Sequence, residues 1–178
     1  DLRYAVLDLE TRISAKEVGG WLNAHRMGVS CAVLYDSAQG EYTAYMEHEL
    51  GELARAMHSV DLVVGFNLLG FDYKVLSGYG DLGFSPPATL DLLREIQAVL
   101  GYRVSLNNLV QNTLGVSKSG SGTEALAWWR NGETDKVVEY CREDVRLTHA
   151  LYLFGRQEGY VVFANKAGKQ VTIEVDWP

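Results

Sequence analysis

Apolar positions along this chain fall first into short strand-like runs and later into helical spacing. Residues 3–9 (RYAVLDL) form a brief apolar run of the kind that becomes a buried strand. Residues 29–36 (VSCAVLYD) and 41–46 (EYTAYM) are β-rich and separated by Ser37-Ala38-Gln39-Gly40, which predicts a hairpin pairing behind the first strand. Leu50, Leu53 and Met57 share one face of a helix over 47–59. A second buried strand is expected at 61–66 (DLVVGF), then a turn and a short helix from Phe71 to Tyr79. Thr89 and Leu90 read as a brief strand entering a helix over 91–100. Further helices fit 105–114, 123–131 and 134–156, and the tail at 159–176, with Gly168 in its middle, reads as a second hairpin packed on an edge. Strands, then strand–helix units, then mostly helices predict an α/β fold. Its core is a mixed central sheet of about five strands with helices on both faces.

The 178 residues suit one domain. A hydrophobic fraction of 47% and a charged fraction of 22% are ordinary for a soluble globular protein, and no apolar run approaches a membrane span. The chain opens on Asp1 and is already strand-like at residue 3, so a domain cut from a longer protein is expected. Cys31 and Cys141 carry neither the number nor the spacing of a disulfide framework or a zinc site; buried free thiols in a reducing cytoplasm are expected. A net charge of −7 argues against gripping nucleic acid with a broad basic face. It does not argue against carboxylates clustered at a metal site, where bound cations reverse the local sign.

Three acidic motifs carry the candidate chemistry. Asp8-Leu9-Glu10-Thr11 ends the first strand, and alternation points residues 8 and 10 to the same side. Two carboxylates placed so repel each other unless a cation lies between them, and an oxygen-rich site suits Mg²⁺ or Mn²⁺. A solvated strand end is the plain alternative. Asn67 and Asp72 lie in Gly65-Phe66-Asn67-Leu68-Leu69-Gly70-Phe71-Asp72, after a buried strand. There Asp72 also fits an ordinary helix start and Asn67 an ordinary turn. Tyr140 and Asp144 are spaced i, i+4 on one face of the last helix, among Val137, Val138, Val145, Leu147 and Leu151. A carboxylate there needs a metal or a partner such as Arg142 or Arg146.

Taken together, the motifs D-x-E, N-x-x-x-F-D and Y-x-x-x-D, in this order over Asp8 to Asp144, resemble the DEDD superfamily of 3′–5′ exonucleases, which share an RNase H-like fold with proofreading exonucleases. The Tyr four residues before the last Asp resembles the DEDDy branch; the sister branch has a His five residues before it, where this chain has Glu139. The resemblance implies two divalent ions held by Asp8, Glu10, Asp72 and Asp144, with Asp8 between them and Tyr140 orienting the attacking water. It implies hydrolysis at a free 3′ end, of single-stranded DNA in preference to RNA. Thr11 and Asn67 become candidates to contact the terminal nucleotide, and Phe71 either packs on a base or fills the core. Helicase or polymerase parts of the same chain are implied as possible partners, and no membrane.

Other residues have plainer readings beside functional ones. Lys118 lies in a polar loop, Lys118-Ser119-Gly120-Ser121-Gly122, that either closes over a substrate backbone or is a solvated linker. Of Trp128 and Trp129, at most one is expected to be buried. Asp91 reads as a helix cap. His25, His48, His58 and His149 share no metal-ligand spacing. Residues 12–28, including Trp21, match no strong pattern and read as an insertion facing a substrate or a partner. The competing function from another class is a catalytically idle nucleic-acid- or protein-binding module attached to a helicase or polymerase.

Overall fold

Strand β1 (Tyr4–Thr11) lies at the centre of a five-stranded sheet, between β2 (Val29–Asp36), antiparallel to it, and β4 (Leu62–Gly65), parallel. A hairpin adds β3 (Glu41–Met46) beyond β2, and β5 (Thr89–Asp91) pairs in parallel beyond β4, giving the order β3-β2-β1-β4-β5. This computed structural model describes residues 1–178. The architecture is the mixed α/β sheet expected, with helices on both faces, consistent with an RNase H-like fold.

Alternation along β1 sorts its side chains into two cores. Ala5, Leu7 and Leu9 face one side, where they pack with Leu53 and Met57 of α1 (Leu50–His58) and Val75 and Leu76 of α2 (Tyr73–Ser77). Tyr4 and Val6 face the other. There they meet α3 (Leu92–Leu100), α4 (Leu106–Leu114) and the 25-residue α6 (Thr134–Glu158). Helix α5 (Gly122–Arg130) buries Ala125 and lies against α6 and β1. Ser105 and Ser121 cap α4 and α5 by accepting from the amides of Asn108 and Glu124, as short hydroxyl side chains do at helix starts.

Local differences from expectation have identifiable causes. The turn after β4 is tighter than expected: Asn67 adopts φ 65°, and a π-helical turn over Leu68–Asp72 precedes α2. A Cβ at Gly65 would collide with Leu68, and one at Gly70 with the Asn67 side chain, so both glycines permit the close approach. The segment 47–59 opens with a short 3₁₀ turn before α1. The C-terminal hairpin, β6 (Tyr160–Ala164) and β7 (Gln170–Glu174), does not extend the edge of the central sheet. It is a separate two-stranded sheet over α4 and α6, because Asn108 and Thr113 of α4 bond the backbone of Ala164 and Val162 while Val161, Phe163 and Ile173 enter the core. No helix is long and apolar enough to cross a membrane.

Candidate metal centre

The face of β1 that begins with apolar Tyr4 and Val6 ends with Asp8 and Glu10, so one strand supplies both the floor of a core and a pair of carboxylates. The β1–β2 register slips between Glu10 and Thr11, the kind of bulge that re-aims side chains at a sheet's rim. Helix α6 crosses above this face. Its buried Cys141 donates through Sγ to the Asp8 carbonyl at 3.3 Å and to Asp8 Oδ2 at 3.6 Å. Tyr140, immediately before it, and Asp144, about one turn after it, reach the same rim, 6% and 7% exposed. From the other side, the π-helical turn delivers Asp72, 2% exposed, whose Oδ2 accepts from the Leu9 amide at 3.2 Å.

The electrostatics follow from this crowding. Burial, then Asp144, Glu10 and Asp72, push the Asp8 carboxyl well above its usual range. Burial and Asp144 do the same to Glu10. Asp72 is pushed up to about 8, chiefly by burial, against the partial relief of backbone amides. Asp144 rises through burial, opposed by Lys118, whose Nζ lies 3.0 Å from Asp144 Oδ2 and 4.9 Å from the Tyr140 ring centroid. Neither arginine expected beside Asp144 meets it: Arg146 pairs with Glu143 at 2.6 Å and Arg142 lies over the Tyr42 ring. Burial and Asp144 push the Tyr140 hydroxyl up to about 12.

These residues fit a divalent cation. The tightest group of potential ligand atoms is Asp8, Glu10 and Cys141, within 4.8 Å of one another. Cys141 is the least suitable of the three, because burial raises its thiol pKa well above the ordinary value and it keeps the proton it donates to Asp8. Hard cations prefer oxygen, which Asp72 and Asp144 offer beside the pair. Asp144 Oδ1 is buried without a hydrogen-bond partner, an arrangement that is costly unless a cation completes it. The Lys118 ammonium already stands as one positive charge against Oδ2.

The remaining candidates sort around this centre. Thr11, Asn67 and Phe71 line a cleft of about 950 Å³ in which Glu10 is the one carboxylate of the group on the wall. The Thr11 hydroxyl donates to the Ile13 carbonyl, fixing its rotamer. Lys118 is not a solvated linker residue: it pairs with Asp144, and its loop runs close enough to Tyr140 that a Cβ at Gly120 would lie 3.3 Å from the ring. Asp91 caps α3 as expected, and it does more. Its two oxygens also accept from the amides of Asn67 at 2.8 Å and Leu69 at 3.0 Å, so it anchors the turn that carries Phe71 and Asp72. Neither Trp128 nor Trp129 is fully buried; Trp128 stands edge-on to Tyr140 and Trp129 lies under the Arg12 guanidinium. Both cysteines are buried free thiols. His149 bonds the Tyr4 hydroxyl at 2.7 Å and His58 the Ser85 carbonyl at 2.9 Å, far from any metal role.

No family model matches the chain, and no curated protein matches it. Among solved structures, the family B DNA polymerase from the hyperthermophilic archaeon Pyrobaculum calidifontis is similar in fold, with a TM-score of 0.65 at 18% sequence identity. The likeness covers 89% of this chain and 24% of the polymerase, so the chain corresponds in length to about a quarter of that protein.

Proposed function

We propose that this chain is a metal-dependent 3′–5′ exonuclease domain of the DEDDy type, acting on the 3′ end of nucleic acid, with single-stranded DNA favoured over RNA. The observation that carries the reading is the convergence of Asp8, Glu10, Asp72 and Asp144, from three separate stretches of chain, on one rim of the sheet beside a cleft. The fold likeness to part of a family B DNA polymerase supports a nucleic-acid-processing module. The four carboxylates are the residues that would hold two Mg²⁺ or Mn²⁺ ions, which when bound supply Lewis acidity at the scissile phosphate.

The chain's own groups do the rest. Tyr140, with its pKa at about 12, stays protonated at neutral pH, so its hydroxyl orients the attacking water by hydrogen bonding and does not act as its base. Thr11, Asn67 and Phe71 form the cleft wall that receives the terminal nucleotide. Lys118 is placed to meet substrate phosphate when it leaves Asp144. Buried free thiols fit a reducing cytoplasm, and the chain is read as one part of a longer polymerase- or helicase-containing protein.

The test is degradation of matched 5′-labelled single-stranded DNA and RNA oligonucleotides with Mn²⁺, Mg²⁺ or EDTA. A ladder shortening from the 3′ end only when metal is present supports the reading, and comparison of the two gives the sugar preference. A folded protein that cleaves neither oligonucleotide supports the idle-module alternative instead.

A further inference from the structure

We infer that Trp21 is a stacking platform for unpaired bases just upstream of the 3′ terminus; this rests on the exonuclease reading for the direction of the strand, but not for the binding itself. Residues 12–28 gave no periodic pattern because they fold as two short 3₁₀ turns, Lys16–Val18 and Trp21–Arg26, with a reversal between them. Gly19 and Gly20 make that reversal with φ of 88° and 121°, values side-chain-bearing residues rarely adopt. Trp21 leaves the reversal 69% exposed.

The segment that carries it is firmly held. Val18, Ala24 and Met27 are buried, the Gly20 amide donates to the Ala15 carbonyl, and Asn23 Nδ2 donates to the Val18 carbonyl at 2.9 Å. A Cβ at Gly78 would collide with the His25 carbonyl, so α2 presses directly on the segment. An ion pair between Arg130 and Glu17 ties it to the end of α5. An exposed indole on so well-anchored a support is pre-organised for contact rather than frayed.

The neighbours of Trp21 define what it contacts. Its ring stands edge-on to Phe71, with centroids 5.5 Å apart and planes at 75°. Both rings line the cleft that also contains Glu10. Leu126 and the exposed cations Lys16 and Arg103 line the same cleft. A volume of about 950 Å³ is at the upper end for small-ligand pockets, roughly 300–1,000 Å³, and admits more than a single nucleotide. Aromatic faces for bases, with separated cations for backbone phosphates, are the elements of single-strand binding without sequence readout. Paired bases are already stacked and present no free face, so the platform selects a frayed or single-stranded end.

The experiment is fluorescence anisotropy of a 5′-labelled single-stranded DNA oligonucleotide, with Ca²⁺ present to neutralise the carboxylates, run beside the metal-dependent cleavage assay. Trp21→Ala is expected to weaken binding about tenfold, Trp21→Phe to recover most of that loss, and Leu22→Ala, the exposed neighbour outside the cleft, to leave it unchanged. A blunt duplex is expected to bind more weakly and to be indifferent to Trp21→Ala. Binding that weakens in Trp21→Ala when the wild-type chain cleaves nothing sustains the platform and removes the exonuclease reading. Wild-type cleavage with equal binding by Trp21→Ala removes the platform alone. Absence of wild-type binding, or equal loss in Trp21→Ala and Leu22→Ala, overturns the platform and assigns the exposed indole to a protein contact.

Discussion

The ammonium of Lys118 lies 3.0 Å from Asp144 Oδ2, in a position where the side chains are only 21% and 10% exposed. Burial by itself would lower the lysine's pKa, but Asp144 and Tyr140 outweigh it and hold the ammonium above its usual range. Lys118 is therefore a resident cation at one corner of a carboxylate cluster. A divalent ion approaching Asp144 must displace it or share the carboxylate with it. Lys118→Met is expected to destabilise the metal-free protein by roughly 1–3 kcal/mol, since it leaves a largely buried carboxylate uncompensated. It is also expected to tighten Mn²⁺ binding several-fold, as read by titration calorimetry without nucleic acid. Unchanged Mn²⁺ affinity would mean that ammonium and metal do not compete.

Removing a carboxylate differs from removing its ammonium. Asp8→Ala and Asp144→Ala are expected to lower kcat for oligonucleotide cleavage on the order of a thousandfold, with the circular dichroism spectrum retained. Tyr140→Phe loses only the hydroxyl proposed to orient the attacking water and is expected to cost about a hundredfold at most, in kcat rather than KM. Near wild-type turnover in either alanine variant sinks the catalytic assignment, and an unchanged rate in Tyr140→Phe takes the phenol out of the reaction.

What the sequence exposed, and what it hid, divides along the range of the interactions involved. Asp8 and Glu10 were legible because a strand's period of two fixes their common side from neighbouring residues alone. Tyr140 and Asp144 were legible for the same local reason at helical spacing. The five strands of the sheet emerged from apolar runs with turn residues between them. Lys118 at Asp144 was not legible as a contact, because a Gly/Ser loop has no periodicity from which to place an ammonium. Asp91 read correctly as a cap; its hold on the Asn67 and Leu69 amides depends on the left-handed turn at Asn67, a conformation set by packing around Gly65 and Gly70. The final hairpin was identifiable as an element, while its seat on α4 is decided by Asn108 and Thr113, some fifty residues away in sequence.

Asp91 carries a prediction of its own. Its carboxylate accepts from two amides of the turn that positions Phe71 and Asp72, and it is 4% exposed. Asp91→Ala leaves both amides unpaired in a buried setting, at a cost of about 2–4 kcal/mol. Because the turn then loses its anchor, Mn²⁺ affinity is expected to fall as well, although Asp91 is not itself a proposed ligand. Asp91→Asn keeps the shape and one good acceptor, and is expected to recover part of both losses. Calorimetric stability and Mn²⁺ titration on the two variants check this; full metal affinity in Asp91→Ala would show that the turn holds its shape without the carboxylate.

The crowded carboxylates also set how the metal-free protein responds to pH. Burial places the Asp72 pKa at about 8 in the folded chain, against 3.8 for the ordinary group, and Asp8, Glu10 and Asp144 shift in the same direction. Folding thus favours the protonated forms. The stability they contribute is fully present below a pH of about 4 and is lost as pH rises through about 8, the reverse of an ordinary salt-bridged carboxylate. In EDTA the melting temperature is therefore expected to fall between about pH 5 and pH 8. Saturating Mn²⁺ is expected to abolish that fall, because the cation replaces the protons and stabilises the ionised site. Asp72→Asn, which removes one titrating group while keeping its shape, is expected to flatten the EDTA profile. A melting temperature in EDTA that is level across this range, or that rises with pH, would mean that the carboxylates are solvated rather than gathered at one buried rim.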